Sequence, residues 1–160
     1  MSKKVEDIYK KKDLHQHILD RPDSYIGSIT NTTEERFVYT KDVNNEVKIV
    51  KKVVEYNPGM IKIFDEILVN AIDHSVRDKT VNMIKVNIDK KSGMISVYNN
   101  GKGVPVVKHK EYGIYIPELI FGNLLTSSNY DDTQKRIVGG RNGLGSKVVG
   151  IFSSLFVRNC

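Results

Sequence analysis

The stretch that decides the fold of this chain is FDEILVNAIDHSVR, residues 64–77. On a helix at about 100° per residue its polar side chains fall on one narrow arc, and the other positions are almost all apolar. The arc consists of Glu66, Asn70, Asp73, His74 and Arg77. A surface helix normally shows the opposite balance, with a wide polar face and an apolar stripe. We therefore expect a mostly buried helix over residues 61–76 whose polar stripe lines a cavity.

Two side chains of this stripe suggest a chemistry. Glu66 and Asn70 are four residues apart and so are neighbours on a helix. A carboxylate can act as a general base toward a water molecule, and an amide oxygen is a hard ligand of the kind that Mg²⁺ prefers. The alternative is a solvated helix face whose charges only support the helix.

A second informative segment is GGRNGLGSK, residues 139–147, just ahead of an apolar run. Glycines let backbone N–H groups approach an anion closely, and a helix that begins after them adds its unpaired N–H groups. Arg141 and Lys147 add full charges, so the segment predicts a polyphosphate site. Neither the P-loop pattern nor the dinucleotide fingerprint occurs in the chain. The alternative is an ordinary glycine-rich loop.

A third segment, NNGKGVP at residues 99–105, ends a predicted strand. An Asn-Gly step is first of all a turn signal. Alternating Gly101 and Gly103 would also let a flat group approach the backbone. An asparagine held at a strand end can form a two-point pair with adenine.

The order of predicted elements gives the fold class. They are a short helix at 14–18 stopped by a proline, a hairpin within 36–57 that turns at 43–45, the helix at 61–76, strands at 84–88 and 95–97 joined at 90–93, and helices at 117–125 and 146–155. We interpret Pro58-Gly59 as a break before the long helix. Helices mixed with antiparallel strands indicate an α+β protein with helices on one face of a sheet.

Composition limits the class of protein. The chain has 160 residues, enough for one ordinary core, and is 39% hydrophobic and 28% charged. No apolar run approaches the ~20 residues of a membrane span. The single cysteine, Cys160, permits no disulfide within the chain and suits a reducing compartment. The net charge of +6 permits contact with nucleic acid. Because the chain stops within an apolar pattern, we expect it to be part of a longer protein.

Together the motifs resemble a known superfamily. Glu66-x-x-x-Asn70, Asn99-x-Gly101-x-Gly103 and the glycine-rich segment resemble the nucleotide-binding region of the GHKL ATPases, which include gyrase, Hsp90, histidine kinases and MutL. Longer blocks are similar to eukaryotic-type DNA topoisomerase II. These blocks are FDEILVNA at 64–71, YIPELIFG at 115–122, LLTSSNYDD at 124–132 and HILDRPDSYIGS at 17–28. The resemblance runs from about Ile8 to the C-terminus.

The resemblance implies a Bergerat-type ATP-binding sandwich, with helices on one face of a mixed, mainly antiparallel sheet that is incomplete at the C-terminus. Residues 1–28 would form an N-terminal arm with a short helix that exchanges between subunits, and residues 29–160 a truncated GHKL ATP-binding domain. Ile8 and Tyr9 would reach the partner subunit's nucleotide, so that ATP closes a homodimer around double-stranded DNA. The protein would act in the nucleus, or in a viral factory if it comes from a large DNA virus.

The resemblance also implies roles for individual residues, with ATP and Mg²⁺ as cofactors. Glu66 would activate the attacking water, Asn70 would bind Mg²⁺, and Asn99 would lie at the adenine. Arg77 would face the nucleotide. Sugar and phosphate contacts would come from a lid over residues 126–147, namely from Ser127, Ser128, Asn129, Gly140, Arg141, Asn142, Gly143, Leu144, Gly145, Ser146 and Lys147.

The sequence departs from the family pattern at two positions, and two functional residues of the family do not lie in this chain. His74 stands where the family commonly has asparagine, and Leu144 replaces a usual aromatic residue. The family completes its ATP site with a lysine from a following domain and cleaves DNA with a later tyrosine, neither of which lies in this chain. We therefore expect weak nucleotide binding, little hydrolysis and no DNA cleavage by these 160 residues. The alternatives are a GHKL ATP-switch module of chaperone or signalling type, or a nucleic-acid-binding module driven by basic charge.

Overall fold

The computed structural model describes residues 11–126, 139 and 143–160. Its helices are α1 (Leu14–Asp20), α2 (Pro58–Arg77), α3 (Ile116–Gly122) and α4 (Gly145–Phe152), with a 3₁₀ turn at Pro22–Ser24 after α1. Its strands are β1 (Thr32–Lys41), β2 (Val47–Tyr56), β3 (Ile84–Asp89) and β4 (Met94–Asn99). The predicted α+β class is confirmed. No helix in the described ranges is long and apolar enough to cross a membrane.

The strands form two antiparallel hairpins. β1 pairs with β2, where Val38 lies opposite Val50, and β3 pairs with β4, where Val86 lies opposite Val97. Both predicted hairpins are confirmed, but over the described residues they are separate two-stranded sheets and not parts of one sheet. Strands joined by a short turn pair at the lowest cost in loop-closure entropy, which favours these local pairings.

The long helix α2 begins earlier than predicted. Asn57 is its N-cap, and the Asn57 side chain accepts a hydrogen bond from the Met60 N–H at 3.0 Å. Pro58 takes the first helical position, where its missing N–H costs nothing. The Gly59 N–H donates to the Ser28 carbonyl at 2.8 Å. The interpretation of Pro58-Gly59 as a break is therefore wrong, because the pair opens the helix.

The prediction that α2 is mostly buried is also wrong. Only Gly59, Ala71 and Asp73 are buried along its length. α4 and β4 pack against the helix, and the contacts to residues 139 and 145 fall on the polar stripe. The apolar side chains left exposed are Met60, Ile61, Ile72 and Val76.

The two later helices end sooner than predicted. α3 stops at Gly122, and Leu125 has a φ of 58°, which lies outside the right-handed helical region. α4 stops at Phe152 because Ser153 is extended, and the Ser153 hydroxyl donates to the Val149 carbonyl at 2.6 Å.

The small core joins the first and last helices. α1 begins at the Asp13 N-cap, whose side chain accepts from the Gln16 N–H, and it ends before Pro22 as predicted. α1 packs against α4. The buried apolar side chains are Ile18, Ile26, Ala71, Val81, Val148 and Val149. This packing fixes the start of α4 beside α2.

Candidate functional site

The Glu66 carboxylate lies directly against the start of α4. An ideal Cβ built on Gly145 would be 1.8 Å from Glu66 Oε2, so a larger residue at this position would require the carboxylate or the start of α4 to move. On its other side Glu66 Oε1 accepts from Lys62 Nζ at 2.7 Å, and the Glu66 side chain is one-quarter exposed. The hydrogen bond to Glu66 raises the pKa of Lys62. The stripe on α2 and the glycine-rich segment, predicted separately, thus meet at this carboxylate.

Asp73, about two turns further along α2, holds the other end of the glycine-rich segment. Asp73 is buried at 5% exposure, and its Oδ1 accepts from the Gly139 N–H at 2.9 Å. A Cβ on Gly139 would lie 2.6 Å from Val69 Cγ1. Close approach of the backbone to α2 therefore requires glycine at residue 139 as well as at residue 145.

Asn99 ends β4 and contacts the C-terminal half of α2. The distance from Asn99 Nδ2 to His74 Nδ1 is 2.9 Å, and Asn99 Nδ2 also donates to the Asn100 carbonyl at 3.0 Å. His74 Nε2 lies 3.8 Å from Asp78 Oδ2. The glycine-rich segment and the end of β4 at Asn99, which were predicted as separate parts of the site, thus both contact α2.

Asp78 fixes the glycine turn after β4. Its Oδ2 accepts from the Lys102 N–H at 2.8 Å and its Oδ1 from the Thr80 N–H and hydroxyl. The Lys102 N–H and then the Thr80 groups lower the pKa of Asp78 to about 2. Gly101 has a φ of 108°, and a Cβ there would lie 2.3 Å from Val81 Cγ2. This turn requires glycine for its conformation and for its close packing.

Lys147 lies on the first turn of α4 and is buried at 6% exposure. Its Nζ donates to the Thr126 carbonyl at 2.6 Å, which joins the first residue of the predicted lid to α4. Burial, and then repulsion from Arg158, lower the pKa of Lys147 to about 8. The Leu144 carbonyl accepts from the Lys147 and Val148 N–H groups and so closes the first helical turn.

The remaining predicted site residues divide into two groups. Within the described ranges, Asn70 is half-buried on α2, Arg77 is exposed in its last turn, Ser146 is buried, and Gly143 precedes α4 with a φ of 62°. Eight predicted residues lie outside the described residues: Ile8, Tyr9, Ser127, Ser128, Asn129, Gly140, Arg141 and Asn142. Their roles stay predictions.

Sequence reasoning missed three contacts of the site. The ion pair of Lys62 with Glu66 could have been predicted, because Lys62 precedes Glu66 by four residues on the helix. Two hydrogen bonds join distant parts of the chain and are marked by no local sequence pattern. They are the bond from the Gly139 N–H to Asp73 and the bond from Lys147 Nζ to the Thr126 carbonyl.

The side-chain oxygen atoms of the site suit a Mg²⁺ ion that arrives bound to the phosphate groups of a ligand. In the described part of the chain no three His, Cys, Asp or Glu side chains cluster as a metal cage. Asn70 and Glu66 supply oxygen atoms on neighbouring turns of α2. Mg²⁺ typically binds through one or two protein oxygens together with substrate phosphates and water.

Comparison with known proteins gives a consistent family. The model of histidine kinase-, DNA gyrase B-, and HSP90-like ATPases matches residues 48–156. Similar curated relatives include DNA topoisomerase 2 of Drosophila melanogaster, 53% identical over 152 residues, and DNA topoisomerase 2-alpha of Gallus gallus, 55% identical over 152 residues. DNA topoisomerase 2 of Acanthamoeba polyphaga mimivirus is 49% identical over 155 residues. These matches cover 95%, 95% and 96% of this chain but 10%, 10% and 12% of the relatives, so the chain spans about a tenth of their length.

Solved structures agree with the fold. The ATPase and transducer domains of DNA topoisomerase II from Balamuthia mandrillaris match with a TM-score of 0.86 and 48% identity, over 94% of this chain and 38% of that one. The ATPase region of Saccharomyces cerevisiae topoisomerase II bound to ICRF-187 matches with a TM-score of 0.84 and 49% identity, over 94% and 39%. The predicted resemblance and fold class are thereby confirmed.

Proposed function

The chain belongs to the histidine kinase-, DNA gyrase B-, and HSP90-like ATPase family, and from that premise we propose that it is the ATP-binding and ATP-hydrolysing domain of a type II DNA topoisomerase. The observation that carries the proposal is the contact of the Glu66 carboxylate with the start of α4 at Gly145. A helix N-terminus favours phosphate groups through its unpaired N–H groups. The γ-phosphate would lie there, with the water activated by Glu66 on the α2 side.

The other residues take supporting roles. Asn70 would hold Mg²⁺, which when bound neutralises charge on the phosphates. Asn99 would contact the adenine and Lys147 the phosphates. Arg77 would face the nucleotide. Sugar and phosphate contacts would come from Gly143, Leu144 and Ser146 and from lid residues outside the described ranges, namely Ser127, Ser128, Asn129, Gly140, Arg141 and Asn142.

The activity of the whole protein would be the passage of one DNA duplex through another. Residues 1–28 would form the arm that exchanges in a homodimer, with Ile8 and Tyr9 at the partner subunit's nucleotide, and residues 29–160 the ATP-binding domain. The protein would act in the nucleus or in a viral factory. The 160 residues alone would bind ATP weakly, hydrolyse little of it and leave DNA uncut.

The test is ATP-dependent decatenation of linked DNA circles by the full-length protein. We expect separation of the circles with ATP and none without it. ATP binding with no change in DNA topology would contradict the proposal and favour an ATP-switch module of chaperone or signalling type. Salt-dependent DNA binding unaffected by nucleotide would favour a module driven by basic charge.

A further inference from the structure

The side-chain amide of Asn99 is held in one orientation. A carbonyl oxygen can only accept, so the Asn99 atom that faces the Asn100 carbonyl at 3.0 Å must be the amide nitrogen. That same nitrogen faces His74 Nδ1 at 2.9 Å. His74 Nδ1 must therefore be the unprotonated acceptor of a neutral imidazole. With both amide hydrogens used, Asn99 presents its Oδ1 as the free group of the amide, and no donor to this oxygen lies among residues 11–126, 139 and 143–160.

The opposite side of His74 faces Asp78 at a distance longer than a hydrogen bond. With Nδ1 unprotonated, the imidazole proton lies on Nε2, and Nε2 is 3.8 Å from Asp78 Oδ2. Asp78 is kept ionised by the Lys102 N–H and the Thr80 groups. In the described residues Asp78, just after α2, is the charged group that lies near His74, and Asn99 at the end of β4 is neutral.

We propose that His74 is a positioning residue for nucleobase selection, which holds the Asn99 amide with Oδ1 toward the base so that it accepts from the adenine amino group. This inference rests on the proposed ATP site. Guanine carries a carbonyl oxygen where adenine carries the amino group, so Asn99 Oδ1 would meet an acceptor and reject it. An asparagine at residue 74 could offer either its oxygen or its nitrogen to Asn99, whereas neutral His74 with a proton on Nε2 offers an acceptor only.

The experiment measures the affinities of ATP and GTP analogues that cannot be hydrolysed, by calorimetry on the full-length protein. Wild type should prefer the ATP analogue, and His74→Leu should lower that preference about tenfold, the worth of one hydrogen bond. His74→Asn, whose side-chain oxygen can accept from Asn99 Nδ2, should restore the preference. His15→Leu, which changes an exposed histidine on α1, should behave as wild type.

The outcomes separate this inference from the proposed function. If Asn99→Ala weakens ATP binding while His74→Leu keeps the wild-type base preference, the role of His74 is overturned and the ATP site stands. If Asn99→Ala leaves ATP affinity unchanged, Asn99 does not contact adenine, and both the inference and that part of the proposed site fail. The unfolding temperature of each variant shows whether a loss comes from misfolding, and a fully folded His74→Asn protein keeps the test decisive.

Discussion

The α-carbon of Gly145 faces the Glu66 carboxylate so closely that a methyl group on it would lie 1.8 Å from Glu66 Oε2. Non-bonded carbon and oxygen atoms cannot approach to that distance. The contact joins the candidate general base on α2 to the first residue of α4.

Gly145→Ala should therefore displace either the carboxylate or the start of α4. Because a positioned general base contributes about 10²–10⁴-fold, we expect ATP turnover by the full-length protein to fall at least about 100-fold. The matched control is Gly122→Ala, since a methyl group on Gly122 meets nothing within 4 Å. Wild-type turnover by Gly145→Ala, measured as phosphate release, would show that the contact is not needed.

Asp73→Ala should loosen the glycine-rich segment. The substitution removes a buried acceptor and leaves the Gly139 N–H without this bond. Because Gly139 is exposed, its N–H can bond to water instead. The net loss of the hydrogen bond is about 0.5–1.5 kcal/mol, so both the free energy of unfolding and ATP affinity should fall. The control is Asp65→Ala, an exposed carboxylate on the same helix. Equal denaturation midpoints and equal affinities for the two variants would refute the role of Asp73.

ATP affinity should fall as pH rises through about 8, where Lys147 loses its proton. The lowered pKa means that between about 8 and the ordinary 10.5 the lysine is neutral when folded and charged when unfolded. Stability should therefore rise with pH across that window, while attraction for phosphate declines. Calorimetry at about pH 7 and about pH 9.5 tests this, with Lys147→Arg as control because a guanidinium stays charged at both values. A wild-type affinity that does not change between these two pH values would contradict the prediction.

Asp78 should stabilise the fold only above acidic pH. Its pKa is lowered from 3.8 to about 2, chiefly by the Lys102 N–H. The stabilisation is complete above the unfolded value and is lost as pH falls from 3.8 toward 2. Asp78→Asn should thus lower the urea midpoint at about pH 6 and have little effect near pH 2. A penalty of equal size at both pH values would mean that the charge is not the cause.

Local patterns predicted most of the elements. The alternation in β3 and β4 and the turn between them were readable, because strand pairing over a short turn depends on neighbouring residues. The start of α2 was missed because Pro58-Gly59 also occurs in loops, and only the Asn57 cap and the Gly59 contact with Ser28 show that it begins a helix. The end of α3 was missed because the extended conformation of Asn123, which stops the helix after Gly122, has no signature in the sequence.

Site residues could be predicted where a sequence motif coincides with the helical period of α2. Glu66 and Asn70 follow from spacing on one helix. The contact between Glu66 and Gly145 joins residues far apart in the chain, and the resemblance to an ATPase family implied only that both residues serve one nucleotide site. The contacts of Asp73 with Gly139 and of His74 with Asn99 depend on how α2 meets the glycine-rich segment and β4, so no local pattern could give them.

The most direct measurement is a comparison of ATP binding and single-turnover hydrolysis in wild type and Glu66→Gln, in the full-length protein with Mg²⁺. Glutamine keeps the shape of the side chain but cannot take a proton from water. We predict that ATP affinity stays within about threefold of wild type and that hydrolysis falls at least about 100-fold. Hydrolysis at the wild-type rate by a variant that binds ATP normally would contradict the assignment of Glu66 as the base, and with it the account of this site.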